Sequence, residues 1–461
     1  MSFWRKDNCG PFATSWPVDP NPTRSGRYNG PMNVSVFRYG SILLALLAIV
    51  ACAPEEPEAG AATSSPADML AGSWRAVLMS PGGELPFTLE IAEDGGELEA
   101  VAVSGDEREP FSHVEVAGEA ITLHFDWYDS RIDARFDGKD TLTGRWQKTI
   151  PDGLSTLDFT ATRGSEGRFL PAVQAARNTS VASIGGVWRA EFSDEDGSEV
   201  AQAEFRQEGS RVLGTFLTPT GDYRFLEGSY EGGLLRLSTF DGAHAFLFQA
   251  QANVDGTLSG DFWSRDSYHA TWTASRAEEG EAILPDAWSL AGLTNDEGAF
   301  HFAFDDLDGR PLTSEDPSLE GKVVIVNIFG SWCPNCNDKA PLLADWYRRY
   351  RERGFEIVGL AYEFSGDVER DRIFVRRFAE RHGIEFPLLL AGVSDKQAAA
   401  ETLPDLSAVI AFPTSVFIGR DGRVRQVHTG FAGPGTGAHF DLLVDELESL
   451  IESLLAEPSP V

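Results

Sequence analysis

Lys322-Val323-Val324-Ile325-Val326-Asn327-Ile328-Phe329, followed by Gly330-Ser331-Trp332-Cys333-Pro334-Asn335-Cys336, decides how the C-terminal third of this chain is read. The first run is short, apolar and β-branched, which predicts a buried strand. The segment after it predicts a helix. A strand that delivers Cys-x-x-Cys to a helix N-terminus is suited to thiol–disulfide exchange. Cys333 stands where the helix begins, so backbone N–H groups and the helix dipole favour its thiolate. It is expected to be the exposed attacking sulfur. Cys336, one turn on, is placed to resolve a mixed disulfide. Pro334 suits the first helical position because it lacks an N–H that would go unpaired there. No cofactor beyond this redox-active Cys333–Cys336 pair is expected. No metal is expected on it either, since no further Cys or His flanks it at ligand spacing.

From about Leu284 strands and helices alternate. Phe302–Arg310 reads as a strand into a turn, Ala340–Arg353 as an amphipathic helix and Phe355–Ala361 as a second strand. Asp367–His382 reads as a helix, Phe386–Leu390 as a short strand, and Thr414–Ile418 with Val424–His428 as a hairpin. Leu442–Leu455 closes as a helix. Five motifs stand in order here: Asp308-Gly309-Arg310-Pro311-Leu312, Gly321-Lys322-Val323-Val324, Trp332-Cys333-Pro334-Asn335-Cys336, Phe412-Pro413-Thr414 and Asp421-Gly422-Arg423. On these motifs, residues 285–461 resemble a thioredoxin fold. They are similar to the membrane-tethered thiol–disulfide oxidoreductases of the TlpA/ResA type.

The resemblance implies that Pro413 is a cis-proline opposite the dithiol. It also implies that the backbone at Phe412 pairs with an extended substrate, with Trp332, Pro334 and Asn335 in supporting places. The implied substrates are protein disulfides, such as apocytochrome c or other envelope proteins, with a membrane thiol as electron donor. One departure stands out. Thioredoxin carries a buried Asp on the central strand, and counting back six from Cys333 gives Asn327, which cannot ionise. Glu363 occupies a place where this family often keeps a functional glutamate. It reads either as a buried carboxyl with a raised pKa, fit for acid–base work, or as a solvated loop residue.

Between the N-terminal region and this domain the chain repeats itself. Gly72-Ser73-Trp74-Arg75-Ala76 returns as Gly186-Val187-Trp188-Arg189-Ala190, 114 residues on. Thr160-Ala161-Thr162-Arg163 returns as Thr273-Ala274-Ser275-Arg276, 113 residues on. Fixed-period similarity of this kind predicts a tandem duplication. Each copy alternates with period two between glycine-rich turns, which predicts antiparallel all-β modules, barrel or sandwich, over 69–171 and 184–284, joined by a connector at 172–183. Their opening Gly-x-Trp and closing Arg resemble, weakly, the lipocalin and avidin-like barrels. That likeness implies cation–π pairs Trp74–Arg163 and Trp188–Arg276. The modules read as filled barrels serving as spacer or docking surface. His113, His124, His244 and His269 show no metal-ligand spacing and read as ordinary strand residues. The fold class is therefore multidomain: two tandem β-modules, then an α/β thioredoxin fold.

A formal charge of −33 over 461 residues argues against nucleic acid and anionic membrane surfaces as partners. Four cysteines are too few for a secreted disulfide framework. Ser41–Ala51 is apolar but too short to span a bilayer, and has the length of a signal-peptide core. Ile49-Val50-Ala51-Cys52 resembles the bacterial lipobox, which implies cleavage before Cys52, lipidation of its thiol and tethering to the bilayer. Residues 32–51 then form a lipoprotein signal peptide, and 52–68 the lipidated cysteine and a linker. Residues 1–31, Cys9 included, fit nothing and read as an over-extended start, with translation beginning at Met32. The expected location is the periplasmic side of the envelope. The leading expectation is an extracytoplasmic thiol–disulfide oxidoreductase. The alternatives are a thiol peroxidase, or a binding protein whose β-modules recognise a partner or ligand.

Overall fold

A computed structural model describes residues 69–151, 153–164, 167–170 and 181–458. The features expected at 1–68, Cys52 among them, and most of the connector lie outside the described residues. No helix among the described residues is long and apolar enough to cross a membrane.

The first β-module is a nine-stranded antiparallel sheet in which the first strand, Gly72–Ser80, pairs with the last, Gly153–Arg163. The second repeats this closure between Gly186–Asp194 and Tyr268–Arg276. In both, the predicted Trp/Arg pair is made. The Arg163 guanidinium lies 4.2 Å from the Trp74 ring centroid, and that of Arg276 lies 4.3 Å from Trp188. Each Trp Nε1–H donates to the carbonyl four residues back, Leu70 and Ile184. Each Arg donates to backbone carbonyls before the first strand, Ala71 and Gly185 among them.

The two sheets differ in one place. In the second module Gly197–Glu208 pairs with Arg211–Thr218, which pairs with Leu226–Glu231, so the meander closes into a barrel. Aromatic side chains fill it, with Phe192, Phe216, Phe248, Phe262 and Trp272 in mutual ring contact. The first sheet is open. Its edge strands, Glu107–Pro110 and His113–Ala117, are not joined by a ladder. Both are the antiparallel all-β modules expected, and the second is the barrel-like one. Phe240, Ala243, Ala245 and Leu247 of the second module enter the core of the first. Phe240 lies 4.5 Å from the Phe87 ring and edge-on to Trp146. An open sheet leaves apolar side chains to be covered, and the neighbouring module covers them.

The C-terminal domain has a seven-stranded sheet with Val323–Phe329 near its centre. That strand runs parallel to Phe355–Glu363 and antiparallel to Thr414–Ile418, and all seven of its residues are buried. The helix after it runs Pro334–Tyr350, six residues earlier than the periodicity suggested, because Cys333 caps it and Pro334 fills its first position. Residues 351–353 form a separate 3-10 turn that ends at Gly354 in the left-handed region. Val368–His382 is capped by Asp367, whose carboxylate accepts from the N–H groups of Glu369 and Arg370. A short helix, Lys396–Thr402, and the closing helix Ala438–Leu455 complete the domain.

The three bodies meet at Arg224, on the loop after Gly221–Asp222. Its guanidinium donates to Glu107 of the first module and to Asp338 of the Cys-bearing helix, and lies 3.2 Å from Asp241 of its own module. Its backbone sits in the left-handed region at φ 62°, held by Asp222 Oδ1 accepting from its N–H at 2.7 Å. Burial raises Glu107 to about 8 and Asp338 to about 6, against the pull of Arg224. Glu107 therefore largely keeps its proton at neutral pH, which lets three acids share one cation. Arg381 donates to Glu109 at 2.6 Å and stacks 4.1 Å from the Trp127 ring, and Arg370 reaches Asp129.

Arg224→Ala removes the shared partner of two buried carboxyls, Glu107 and Asp241, and of the partly buried Asp338. The expected cost is about 3–5 kcal/mol, read as a lower urea midpoint. Arg145→Ala, whose pair with Asp158 is exposed, is expected to move the midpoint by less than about 0.5 kcal/mol.

Candidate active site

Strand, loop and helix together place the dithiol. Phe329 ends the strand, Gly330–Trp332 form the loop, and Cys333 is the N-cap of the helix. Both cysteines are thiols and both are buried, at 1% and 2% exposure. The expectation of an exposed Cys333 is thereby corrected. In its own domain the sulfur faces the backbone before Pro413: Cys333 Sγ–H donates to the Phe412 carbonyl at 3.3 Å. The Phe412–Pro413 peptide bond is cis. The second β-module packs against this domain at Asn335 and Gly430. A Cβ placed on Gly221 would lie 1.9 Å from Asn335 Nδ2. One on Gly430, in the loop after Val424–Thr429, would lie 2.7 Å from the backbone of Thr220. Asp222 accepts from the Gly433 N–H at 2.7 Å. Between the modules a cavity of about 20 Å³ remains, lined by Thr220, Tyr223, His244, Asn335 and Phe412 among others. That is room for about one water and not for a peptide.

The supporting residues hold the loop. Trp332 Nε1–H donates to the Tyr362 carbonyl at 2.9 Å, and its ring stacks on Phe364 at 4.6 Å. Asn335 Nδ2 donates to the Phe431 carbonyl at 3.1 Å. Glu363 is the last residue of its strand, not a loop residue beyond it, and is 4% exposed. Its carboxyl accepts from the Ser331 N–H at 2.7 Å and the Ser331 hydroxyl at 2.6 Å. Burial pushes it up to about 8, and the two Ser331 hydrogen bonds, which favour the carboxylate, do not outweigh this. Of the two readings of Glu363, the structure has the buried one.

Two residues with no place in the sequence reading join the site. Asn337 Nδ2 donates to the carbonyls of Ser331 and Cys333, both at 3.0 Å, and its Oδ1 lies 2.9 Å from His382 Nε2. It ties the first turn of the helix to the loop. Lys339 is 1% exposed and has no carboxylate partner among the described residues. Its Nζ donates to Ser415 Oγ at 2.7 Å, and the Ser415 hydroxyl donates to Asn327 Oδ1 at 3.2 Å. Burial lowers Lys339 to about 8, against the attraction of Cys336. A signal for it existed: Lys339, Leu343, Trp346 and Tyr350 share the buried stripe of the helix. A lysine there has no solvent to reach. Asn337 carries no such signal, since its partners come from a loop and from another helix.

Chemically, the arrangement is a two-electron dithiol beside a cis-proline. A lysine near Cys336 and a carboxyl behind the loop each change protonation around pH 8. Such groups are able to hold and release protons at working pH.

The Redoxin family model matches residues 293–440. Thiol-disulfide oxidoreductase ResA of Halalkalibacterium halodurans is 31% identical over 134 residues, which is 29% of this chain and 68% of that protein. ResA of Bacillus subtilis strain 168 is 30% identical over 138 residues, covering 30% and 69%. For the ResA of Bacillus anthracis the chain spans 63% of its length, at 32% identity. Among solved structures, a thiol:disulfide interchange protein of the thioredoxin family from Chlorobium tepidum TLS is 25% identical, with 34% of this chain and 95% of that one covered and a TM-score of 0.27.

The folded Glu363 holds a proton that the unfolded chain, at about 4.5, releases. Its contribution to stability is full below about pH 4.5 and is lost as pH rises through about 8. Glu363→Gln is expected to keep the fold and to flatten both this stability slope and the limb near pH 8 in the pH–rate profile of insulin reduction. An unaltered rate profile rules out a proton role.

Proposed function

Because the chain belongs, through its C-terminal domain, to the ResA-type thiol–disulfide oxidoreductases, we propose that it reduces protein disulfides through Cys333 and Cys336. The observation that carries this is the dithiol at a helix N-terminus, with Cys333 Sγ 3.3 Å from the carbonyl before cis-Pro413. The Cys333 thiolate attacks one sulfur of a substrate disulfide. The substrate S–S bond breaks, a mixed disulfide forms, and the released substrate thiolate takes a proton. Cys336 then loses its proton, for which the neutral form of Lys339 is the proposed acceptor, and attacks Cys333 Sγ. The mixed disulfide breaks, the second substrate thiolate leaves, and the Cys333–Cys336 disulfide remains. A membrane thiol donor is the proposed source of the two electrons that restore the dithiol. Apocytochrome c and other envelope proteins are the proposed substrate class, with Cys52 as a lipid anchor on the periplasmic side.

The loop Pro219–Phe225 of the second module is proposed as a lid over this site. It occupies the face of Asn335, Phe412 and Gly430 that an extended substrate would use. A sheltered dithiol is protected from adventitious oxidation in an oxidising compartment and reacts only when the lid moves. On this reading the β-modules govern access.

Two measurements test this in the full chain. Cys336→Ser is expected to accumulate a mixed disulfide with substrate through Cys333, and Cys333→Ser to abolish insulin reduction. Failure of both ends the reductase reading. Maleimide labelling of Cys333 in the reduced protein is expected to be slow, and at least tenfold faster in Gly221→Trp, whose ring cannot fit against Asn335. Equal, rapid labelling in both would remove the lid.

A further inference from the structure

The open edge of the first β-module carries a cluster that the redox chemistry does not use. His113 lies on the edge strand His113–Ala117 and stands directly opposite His124 on Ala120–Phe125. Side chains two apart on a strand share a face, so Glu115 points the same way as His113. The two imidazoles are stacked, 4.0 Å between centroids and 10° between planes. Glu115 Oε1 lies 3.4 Å from His113 Nε2 and 3.8 Å from His124 Nε2. His124 Nε2 is buried and makes no hydrogen bond. On the far side of the His113 ring, Nδ1 lies 3.2 Å from Asp126 Oδ2.

These separations are within reach of one ion, and a turn of the stacked rings about their side-chain bonds brings both Nε2 lone pairs to it. Ligand atoms about 2.1 Å from a tetrahedral centre stand about 3.4 Å from one another. The ligand atoms of His113, Glu115 and His124 already lie within 4.8 Å of one another. Asp126 is placed as the outer carboxylate that holds a ligating imidazole by its other nitrogen, so that Nε2 presents its lone pair. Two imidazoles and one carboxylate are borderline-soft and hard donors of the kind zinc takes, with a fourth position left to water because His113 and Glu115 face solvent. Arg131, opposite His124 on the next strand, is the nearest competing cation, and its guanidinium is engaged by Asp133 and Gln147.

We propose that His113, Glu115 and His124, oriented by Asp126, bind one divalent transition-metal ion of the zinc class. Opposed strands supply the pairing that sequence spacing hides. The site sits where Asp126 begins the turn that meets the third body, since Arg377 Nη1 donates to the Asp126 carbonyl at 3.3 Å. A bound ion would brace that seam.

The test uses the full chain without an affinity tag and with all four cysteines replaced by serine, so that thiols contribute nothing. Zn²⁺ titrated calorimetrically at pH 7.5 is expected to bind with one equivalent per chain. Co²⁺ is expected to give the visible absorption of a four-coordinate site. His113→Ala and His124→Ala should each weaken Zn²⁺ binding at least a hundredfold, and Asp126→Asn about tenfold. Circular dichroism checks that each variant is folded. Absence of a saturable equivalent in the parent chain overturns the proposal. So does an equivalent that survives both histidine substitutions.

Discussion

One guanidinium holds the arrangement of this molecule together. Arg224 comes from a barrel, Glu107 from an open sheet and Asp338 from the helix that bears the dithiol. A buried cation is costly unless its donors are filled, and buried acids are costly unless they are neutral or paired. Here the guanidinium donates to Glu107 and Asp338, the Asp241 carboxylate lies 3.2 Å from its Nε, and Glu107 is largely protonated. The consequence is positional. Asp338 lies two residues after Cys336, so the contact that fixes the barrel also fixes its loop over the redox site.

The covering loop and the open sheet belong to one design. The first module breaks between Glu107–Pro110 and His113–Ala117, where the second module has a continuous ladder. At that break Glu107 and Glu109 meet Arg224 and Arg381, and Phe240 of the second module enters the core. A closed first barrel would have offered neither the carboxylates nor the apolar socket. The two modules thus take different parts in the packing: one provides the socket, and the other fills it.

On the central strand Asn327 stands where thioredoxin carries its buried Asp. Lys339 Nζ donates to the Ser415 hydroxyl, which donates to Asn327 Oδ1, while the Glu363 carboxyl accepts from Ser331 ahead of Cys333. Both ionisable groups are held near pH 8 by burial, one from above and one from below.

Much of this was legible from residues alone, wherever the cause is local. The β-branched run Val323–Phe329 has no polar face to show solvent, so it is a central strand. Pro334 after Cys333 starts a helix because only there is a missing N–H harmless. The Trp74/Arg163 and Trp188/Arg276 pairs were implied by the likeness of each module's opening Gly-x-Trp and closing Arg to lipocalin and avidin-like barrels. Other features depend on chain segments distant in sequence. Arg224 finds acids more than a hundred residues away, His113 meets His124 only through a hairpin, and Glu363 is buried only because Ser331 folds onto it. Cys333 shows the division best. Its place at the helix N-terminus, and so its chemistry, follows from the sequence. Its burial follows from tertiary packing, because solvent access is a property of the surfaces that meet and not of the residues that carry the sulfur.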